Sequence, residues 1–179
     1  MKNKLYVILL IMLTCVGCDQ ITKSIAKDTL RMSPPRTYLS ETFRLQYAEN
    51  TGAFLSLGSG LPKVVRTWLF TFLSGGLLIG LLLYMLMSRD LNRQHIFALS
   101  MILGGGFSNL IDRMLHDGRV VDFMNMGIGN VRTGIFNFAD VLIMSGMGLI
   151  ILFNLHLHRK TTTQEITQKG EFPQSEESE

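Results

Sequence analysis

The chain has 179 residues, of which 47% are hydrophobic and 17% charged, with 11 Met, 11 Phe, 17 Gly and a formal net charge of +3. With a mean hydropathy of +0.27, this is the composition of a membrane protein and excludes an ordinary soluble domain. The basic residues are scattered, which excludes a nucleic-acid footprint.

A membrane-spanning helix needs about 20 mainly apolar residues to cross roughly 30 Å of hydrocarbon. Residues 5–18 are continuously apolar but short, so the first span is expected over about 5–26, carrying Asp19, Gln20, Thr22 and Lys23 to one membrane face. Cys15 and Cys18 lie three apart within this run and read as small hydrophobes, since a metal site needs further ligands at suitable spacing. The same start resembles a bacterial lipoprotein signal peptide with Cys18 as the lipidated residue. Against that reading, Cys15 stands where such signals usually carry Leu, and three more spans follow.

Ser33-Pro34-Pro35 stops the first helix. Alternation and aromatic residues through 37–47 then suggest a small sheet on the membrane surface, followed by a glycine-rich stretch over 52–62. Further spans are expected over 64–87, 96–115 and 138–157. They are separated by a short basic connection and by a longer glycine-rich loop over 116–137. The expected fold is therefore an all-α membrane protein of four transmembrane helices, with a small extracytoplasmic β-sheet and loop region contributed by loops at about 27–63 and 116–137. The membrane domain covers residues 1–158, and the polar, acid-ended stretch 159–179 is expected to be a disordered cytoplasmic tail. Orientation is a near tie on charge: Lys2, Lys4, Arg89, Arg93, Arg159 and Lys160 face Lys23, Lys27, Arg31, Arg36, Arg44 and Lys63 across the bilayer. Counting Lys23 as a site residue and discounting distant loop charges tips the expectation to both termini in the cytoplasm.

Asp122 and Asp140 stand at opposite ends of the last loop, in Val120-Val121-Asp122-Phe123 and Phe136-Asn137-Phe138-Ala139-Asp140. An ionisable group at membrane depth costs at least about 2.5 to 3.5 kcal/mol on insertion scales, and such groups pair at working sites. Asn109 and Arg113 share a face at the end of the third span, while Asn137 and Asp140 share one at the start of the fourth. Five polar groups thus converge at one depth. Asp19 and Lys23, four apart, can form an intrahelical pair, of which the plain reading is a helix-end ion pair at the interface. Asn50 beside Gly52 reads first as a turn, and the small residues Gly104-Gly105-Gly106 read first as a close helix approach.

Taken together, Asp19-Gln20-x-Thr22-Lys23, Asn50-x-Gly52-Ala53, Gly105-x-x-x-Asn109-Leu110-x-Asp112-Arg113, Val121-Asp122-Phe123 and Phe136-Asn137-x-Ala139-Asp140 resemble, in order and spacing, the motifs of the lipoprotein signal peptidase (signal peptidase II) family. The resemblance runs to about residue 157. It departs from the usual pattern where a single Ala precedes Phe54 and where Ser108 precedes Asn109. It implies an aspartic endopeptidase of the bacterial inner membrane, without metal or cofactor. Such an enzyme removes signal peptides from diacylglyceryl prolipoproteins just before the lipidated cysteine, and is sensitive to globomycin. By position, Asp122 and Asp140 match the catalytic pair. Asn109, Arg113 and Asn137 match site-lining residues, and Asp19, Lys23, Asn50 and Gly52 match positions tied to structure or substrate placement. The resemblance also implies an active site near the periplasmic face. Prolipoprotein and membrane lipid are the expected partners, with a monomer as the default.

Two carboxyls close together in a low-dielectric site share one proton, leaving one as base and the other as acid. Arg113 would favour the anion on whichever it approaches. Zinc and serine hydrolase signatures, His-Glu-x-x-His and Gly-x-Ser-x-Gly, are absent from the sequence. The rival of a different class is a small ion or proton transporter using the two aspartates as a relay. It calls for charges near the bilayer midplane and an internal repeat, neither of which the sequence displays.

Overall fold

The computed structural model describes residues 2–52 and 60–170. Ala53 and Phe54, with the rest of stretch 53–59, and the tail beyond residue 170 lie outside the described residues. Helix α1 (Lys2–Leu30) leads into strands β1 (Arg36–Tyr38) and β2 (Phe43–Asn50). A helical run follows, made of α2 (Lys63–Thr67), a π-helical stretch (Trp68–Leu73) and α3 (Ser74–Met87). Then come α4 (Arg93–Leu115), strands β3 (Val120–Ile128) and β4 (Val131–Arg132), and α5 (Phe138–Gly170).

Three of these helical segments, Asn3–Leu30, Lys63–Met87 and Phe138–His156, are long and apolar enough to cross a membrane. Their outward residues are large and apolar, as at Leu10, Leu13, Trp68, Leu77 and Leu152, each more than 60% exposed. Helix α4 is the exception to the expected four. Its 23 residues give about 34 Å of length, but Arg93, Gln94, His95, Asn109, Asp112 and Arg113 lower its hydropathy. The physical reason is its position: α4 packs against α1, α3 and α5. Ser100, Ser108, Asn109 and Asp112 are buried there, facing protein where a lipid-facing helix would need apolar groups. It begins at Asn92, whose side chain accepts the His95 N–H as an N-cap.

Close approach of α4 and α5 depends on glycine. A Cβ on Gly105 would lie 2.6 Å from the Ala139 carbonyl oxygen, and one on Gly146 would lie 2.6 Å from that of Ala98. Ile8, Met85 and Leu103 form one apolar core among the helices, while Ala26, Leu30 and Phe123 form another beneath the sheet.

The sheet is antiparallel, in the order β1-β2-β3-β4. Its longest strand, β3, comes from the segment expected to be a loop. Val120 to Ile128 is rich in β-branched and other apolar residues over enough length to pair with β2, aligning Asp122 with Ala48 and Val120 with Asn50. Asp122 is thus held on a strand, not in a loop. Past the bulge between Leu45 and Ala48, the second half of β2 is brought into line with the start of β3. Two helices run beyond the expected spans. Helix α1 runs past Ala26 to Leu30, where no Gly or Pro occurs between Ala26 and Pro34. Helical backbone in α5 extends to Gly170, with no Gly or Pro between Gly148 and Gly170.

Replacing Gly146 by Val is expected to force α5 away from Ala98 and to destabilise the protein by about 1–3 kcal/mol. Gly148→Ala, with nothing within 4 Å of the new methyl, should leave stability unchanged or slightly raised. Thermal unfolding of both variants in detergent checks this.

Candidate active site

The site lies where the first turn of α5, the end of α4, the start of β3 and the end of β2 meet. Asn137 immediately precedes α5, and its side-chain oxygen accepts the Asp140 N–H at 3.0 Å while Asp140 Oδ2 accepts the Asn137 N–H at 3.1 Å. This reciprocal pair is a capping box, which satisfies N–H groups that a helix start leaves orphaned. It also fixes one carboxyl at the helix entrance.

The second carboxyl is positioned by the strand. Phe136 exchanges backbone hydrogen bonds with Met124, Met124 N to Phe136 O and Phe136 N to Met124 O, both at 2.8 Å. The residue before the cap is thereby stitched to the strand that carries Asp122. Asn137 Nδ2 donates to Asp122 Oδ1 at 2.6 Å, and Asn50 Nδ2 donates to Asp122 Oδ2 at 2.8 Å. Asn109 Nδ2 donates to Asp140 Oδ1 at 3.1 Å. Three asparagines thus supply amide donors to both carboxyls, and Asn137 bridges them.

Asp122 is 1% exposed. Burial raises its carboxyl from the ordinary 3.8 to about 7; the nearby Asp140 charge adds to the rise, while the hydrogen bonds from Asn50 and Asn137 hold it back. Both aspartates line a cavity of about 260 Å³, together with Asn50, Asn109, Arg113 and Asn137. The remaining wall is apolar, contributed in part by Phe70, Leu77, Leu78 and Ile143. Arg113 donates to the Gly52 carbonyl at 3.0 Å and to the Asn109 carbonyl at 3.4 Å, and stands 5.9 Å from the Phe70 ring centroid. Gly52 in turn donates its N–H to Asn50 Oδ1 at 2.9 Å, so the turn expected at Asn50 aims that side chain's amide at Asp122.

The structure therefore brings together Asp122, Asp140, Asn109, Arg113, Asn137, Asn50 and Gly52. Asp19 and Lys23 stand elsewhere. In place of an interfacial ion pair, they form a buried cluster behind the cavity, 0% and 3% exposed. Lys23 Nζ lies 2.6 Å from Asp19 Oδ2 and 2.9 Å from Asp112 Oδ2, and donates to Asn109 Oδ1 at 2.8 Å. Asp19 also accepts from Ser108 Oγ at 2.7 Å and from the Ala139 N–H at 2.8 Å. Asp112 accepts from Gln20 Nε2 at 2.8 Å and from the Val121 N–H at 3.2 Å.

Asp112 is the member of this cluster that sequence reasoning passed over as a separate group. A signal was available, because a lysine buried in an apolar helix needs more than one carboxylate, and Asp112 follows Asn109 by three residues on the same helix face. Among the described residues no group of three or more His, Cys, Asp or Glu side chains is arranged to hold a metal ion.

A family model described as signal peptidase (SPase) II matches residues 11–156. The lipoprotein signal peptidase of Treponema denticola is 35% identical over 153 residues, covering 83% of this chain and 88% of its own. That of Borrelia duttonii is 30% identical over 166 residues, covering 90% and 96%. A bacterial membrane enzyme solved in meso at 2.3 Å superposes with a TM-score of 0.72 at 26% identity, over 96% of this chain and 94% of its own. Another, solved in meso at 1.9 Å, gives 0.68 at 28% identity, over 83% and 92%.

Asp122 is expected to titrate near pH 7, read from the carboxyl carbon shift of labelled aspartate in the detergent-solubilised protein. Asn50→Ala removes a donor that favours the anion, so the midpoint should move to higher pH. With its folded value above the unfolded 3.8, this group contributes to stability fully below about pH 3.8, and the contribution is lost as pH rises through 7.

Proposed function

We propose, on the premise that this chain belongs to the signal peptidase II family, that Asp122 and Asp140 are its catalytic pair. The protein is an aspartic signal peptidase that processes prolipoproteins. The observation that carries the site assignment is the delivery of two carboxyls from separate elements, β3 and α5, into one cavity where Asn137 bridges them.

The chemistry follows from the pair. Two carboxyls in a buried site hold one proton between them. Asp122, raised to about 7 by burial, retains that proton and serves as the acid. Asp140 lies at the start of α5, where a backbone N–H and the helix dipole support a carboxylate, and serves as the base. Asp140 takes a proton from water, which attacks the scissile carbonyl. Asp122 hydrogen-bonds the carbonyl oxygen and then helps protonate the leaving amine. Arg113, held by the Gly52 carbonyl, and Asn109 orient the peptide and the carboxyls. Apolar residues of the cavity wall exclude water around the cleaved bond and face the signal-peptide segment.

Four spans are the reading that α4 supports by length, with lipid largely replaced by protein on its polar faces. Both termini then lie in the cytoplasm and the cavity opens near the periplasmic face of the inner membrane. The substrate is a diacylglyceryl prolipoprotein cut just before its lipidated cysteine, with the acyl chains remaining in the bilayer. The unit acts as a monomer, and residues 1–158 form its working domain. A proton-relay transporter has no comparable support. Asp140 is the third residue of α5, Asp122 lies on strand β3 outside the helices, and Arg113 is two residues from the end of α4.

Cleavage of a synthetic diacylglyceryl prolipoprotein peptide by the purified protein is expected to fall roughly a thousandfold or more in both Asp122→Asn and Asp140→Asn, with thermal unfolding confirming that each variant is folded. Robust turnover by either folded variant would remove the pair from the mechanism.

A further inference from the structure

Strand β3 has two faces, and both look into cavities. Val120 and Asp122 line the catalytic one, while Val121, pointing the other way, lines two adjoining cavities of about 230 and 200 Å³ that also share Lys27 and His116. The larger is rimmed by Lys27, Arg31, Tyr47, His116 and Arg119, with Glu49 and Asp117 as its acidic residues. Both acids are occupied. Glu49 accepts from Arg119 at 2.6 Å and from the Tyr47 hydroxyl at 2.9 Å, which together hold its carboxyl below the usual range. Asp117 is paired with Lys63 at 2.8 Å. Arg31 stands 6.0 Å over the Tyr47 ring, and neither Lys27 nor Arg31 has an ion-pair partner among the described residues. The cleft therefore holds an excess of positive charge, on side chains drawn from α1 and from the α4–β3 turn.

Its depth in the membrane is marked on the same helix. Ile21 and Ile25 of α1 are 62% and 56% exposed, as residues that face acyl chains are. Lys27 follows Ile25 by two residues, a rise of about 3 Å. The Lys63–Asp117 pair brings the start of α2 to this level, and Trp68, 63% exposed, lies one to two turns farther along that helix, as interfacial tryptophans do. A positive cleft at the boundary between acyl chains and water fits a phosphodiester that is itself anchored in the bilayer.

We propose that the cleft behind β3, formed by Lys27, Arg31, His116 and Arg119, binds the phosphate of an anionic phospholipid headgroup. The lipid sits against the strand whose other face carries Asp122, outside the catalytic cavity. Phosphate is the shared chemistry, and lipid is the source favoured by the depth along α1 that the exposed Ile21 and Ile25 mark.

The test uses the full chain purified in neutral detergent, with native mass spectrometry and thermal unfolding after addition of phosphatidylglycerol, phosphatidylcholine or sodium phosphate. Phosphatidylglycerol should bind and stabilise in clear preference to phosphatidylcholine. In Lys27→Ala/Arg31→Ala that binding should weaken roughly tenfold or more, whereas Lys27→Arg retains it. Peptide cleavage in detergent should be unchanged in these variants, which separates failure of this site from failure of the peptidase reading. Equal binding of the two lipids, or undiminished binding by the double variant, would overturn the proposal. Stabilisation by sodium phosphate as large as that by phosphatidylglycerol would overturn the lipid assignment in favour of a soluble anion.

Discussion

The arrangement depends on one buried ammonium. Lys23 is held between Asp19 and Asp112 and also donates to Asn109, so a single cation joins α1 to α4. The two carboxylates then spend their remaining acceptors on Ala139 N–H at the start of α5, Val121 N–H on β3, and the side chains of Ser108 and Gln20. Desolvating such a cluster is costly, and removing one member leaves an uncompensated charge worth about 3–5 kcal/mol. Its return is geometric: three helices and a strand take their relative positions from groups a few Å behind the cavity.

From that anchor the two cavity carboxyls follow in short steps. Val121 N–H is tied to Asp112, and the next residue is Asp122. Ala139 N–H is tied to Asp19, and the next residue is Asp140. Asn109 accepts from Lys23 and donates to Asp140. Each carboxyl of the pair is therefore one residue or one side chain away from the charge cluster. The local environments differ. Asp122 sits at the pairing edge of β2 and β3, and Asp140 sits inside a capping box. That difference is what the proposed division into an acid and a base rests on.

Much of this was legible in the sequence because it lies in local pattern. The apolar runs mark α1, the Lys63–Met87 helix and α5, and the placement of Asp122 and Asp140 beside apolar residues marks the pair. What sequence left hidden was long-range. Val120 to Ile128 becomes a strand only because β2 offers a partner some 70 residues earlier, with a bulge that adjusts the register. Asp19 and Lys23 read as an interfacial pair because a helix-face argument sees neighbours four apart, and it cannot see Asp112 arriving from α4. The π-helical turn at Trp68–Leu73 likewise carries no signal in hydropathy. Its Phe70, which faces Arg113 and the cavity, was not among the expected site residues. Asn137 was expected on a helix face and serves as the cap, one position outside the helix.

The donors around the two carboxyls are asparagines, short side chains with two torsions each, and every one is tied at its other end to backbone or to a further polar group. Fixing a long, many-rotamer side chain costs up to about 2 kcal/mol of entropy, a cost that a site built from lysine or glutamine would meet anew as each substrate arrived. Here the loss of freedom is incurred once, during folding. The dipoles aimed at the two carboxyls are thus already in place, and under the proposed function little of a substrate's binding energy would be consumed in ordering them.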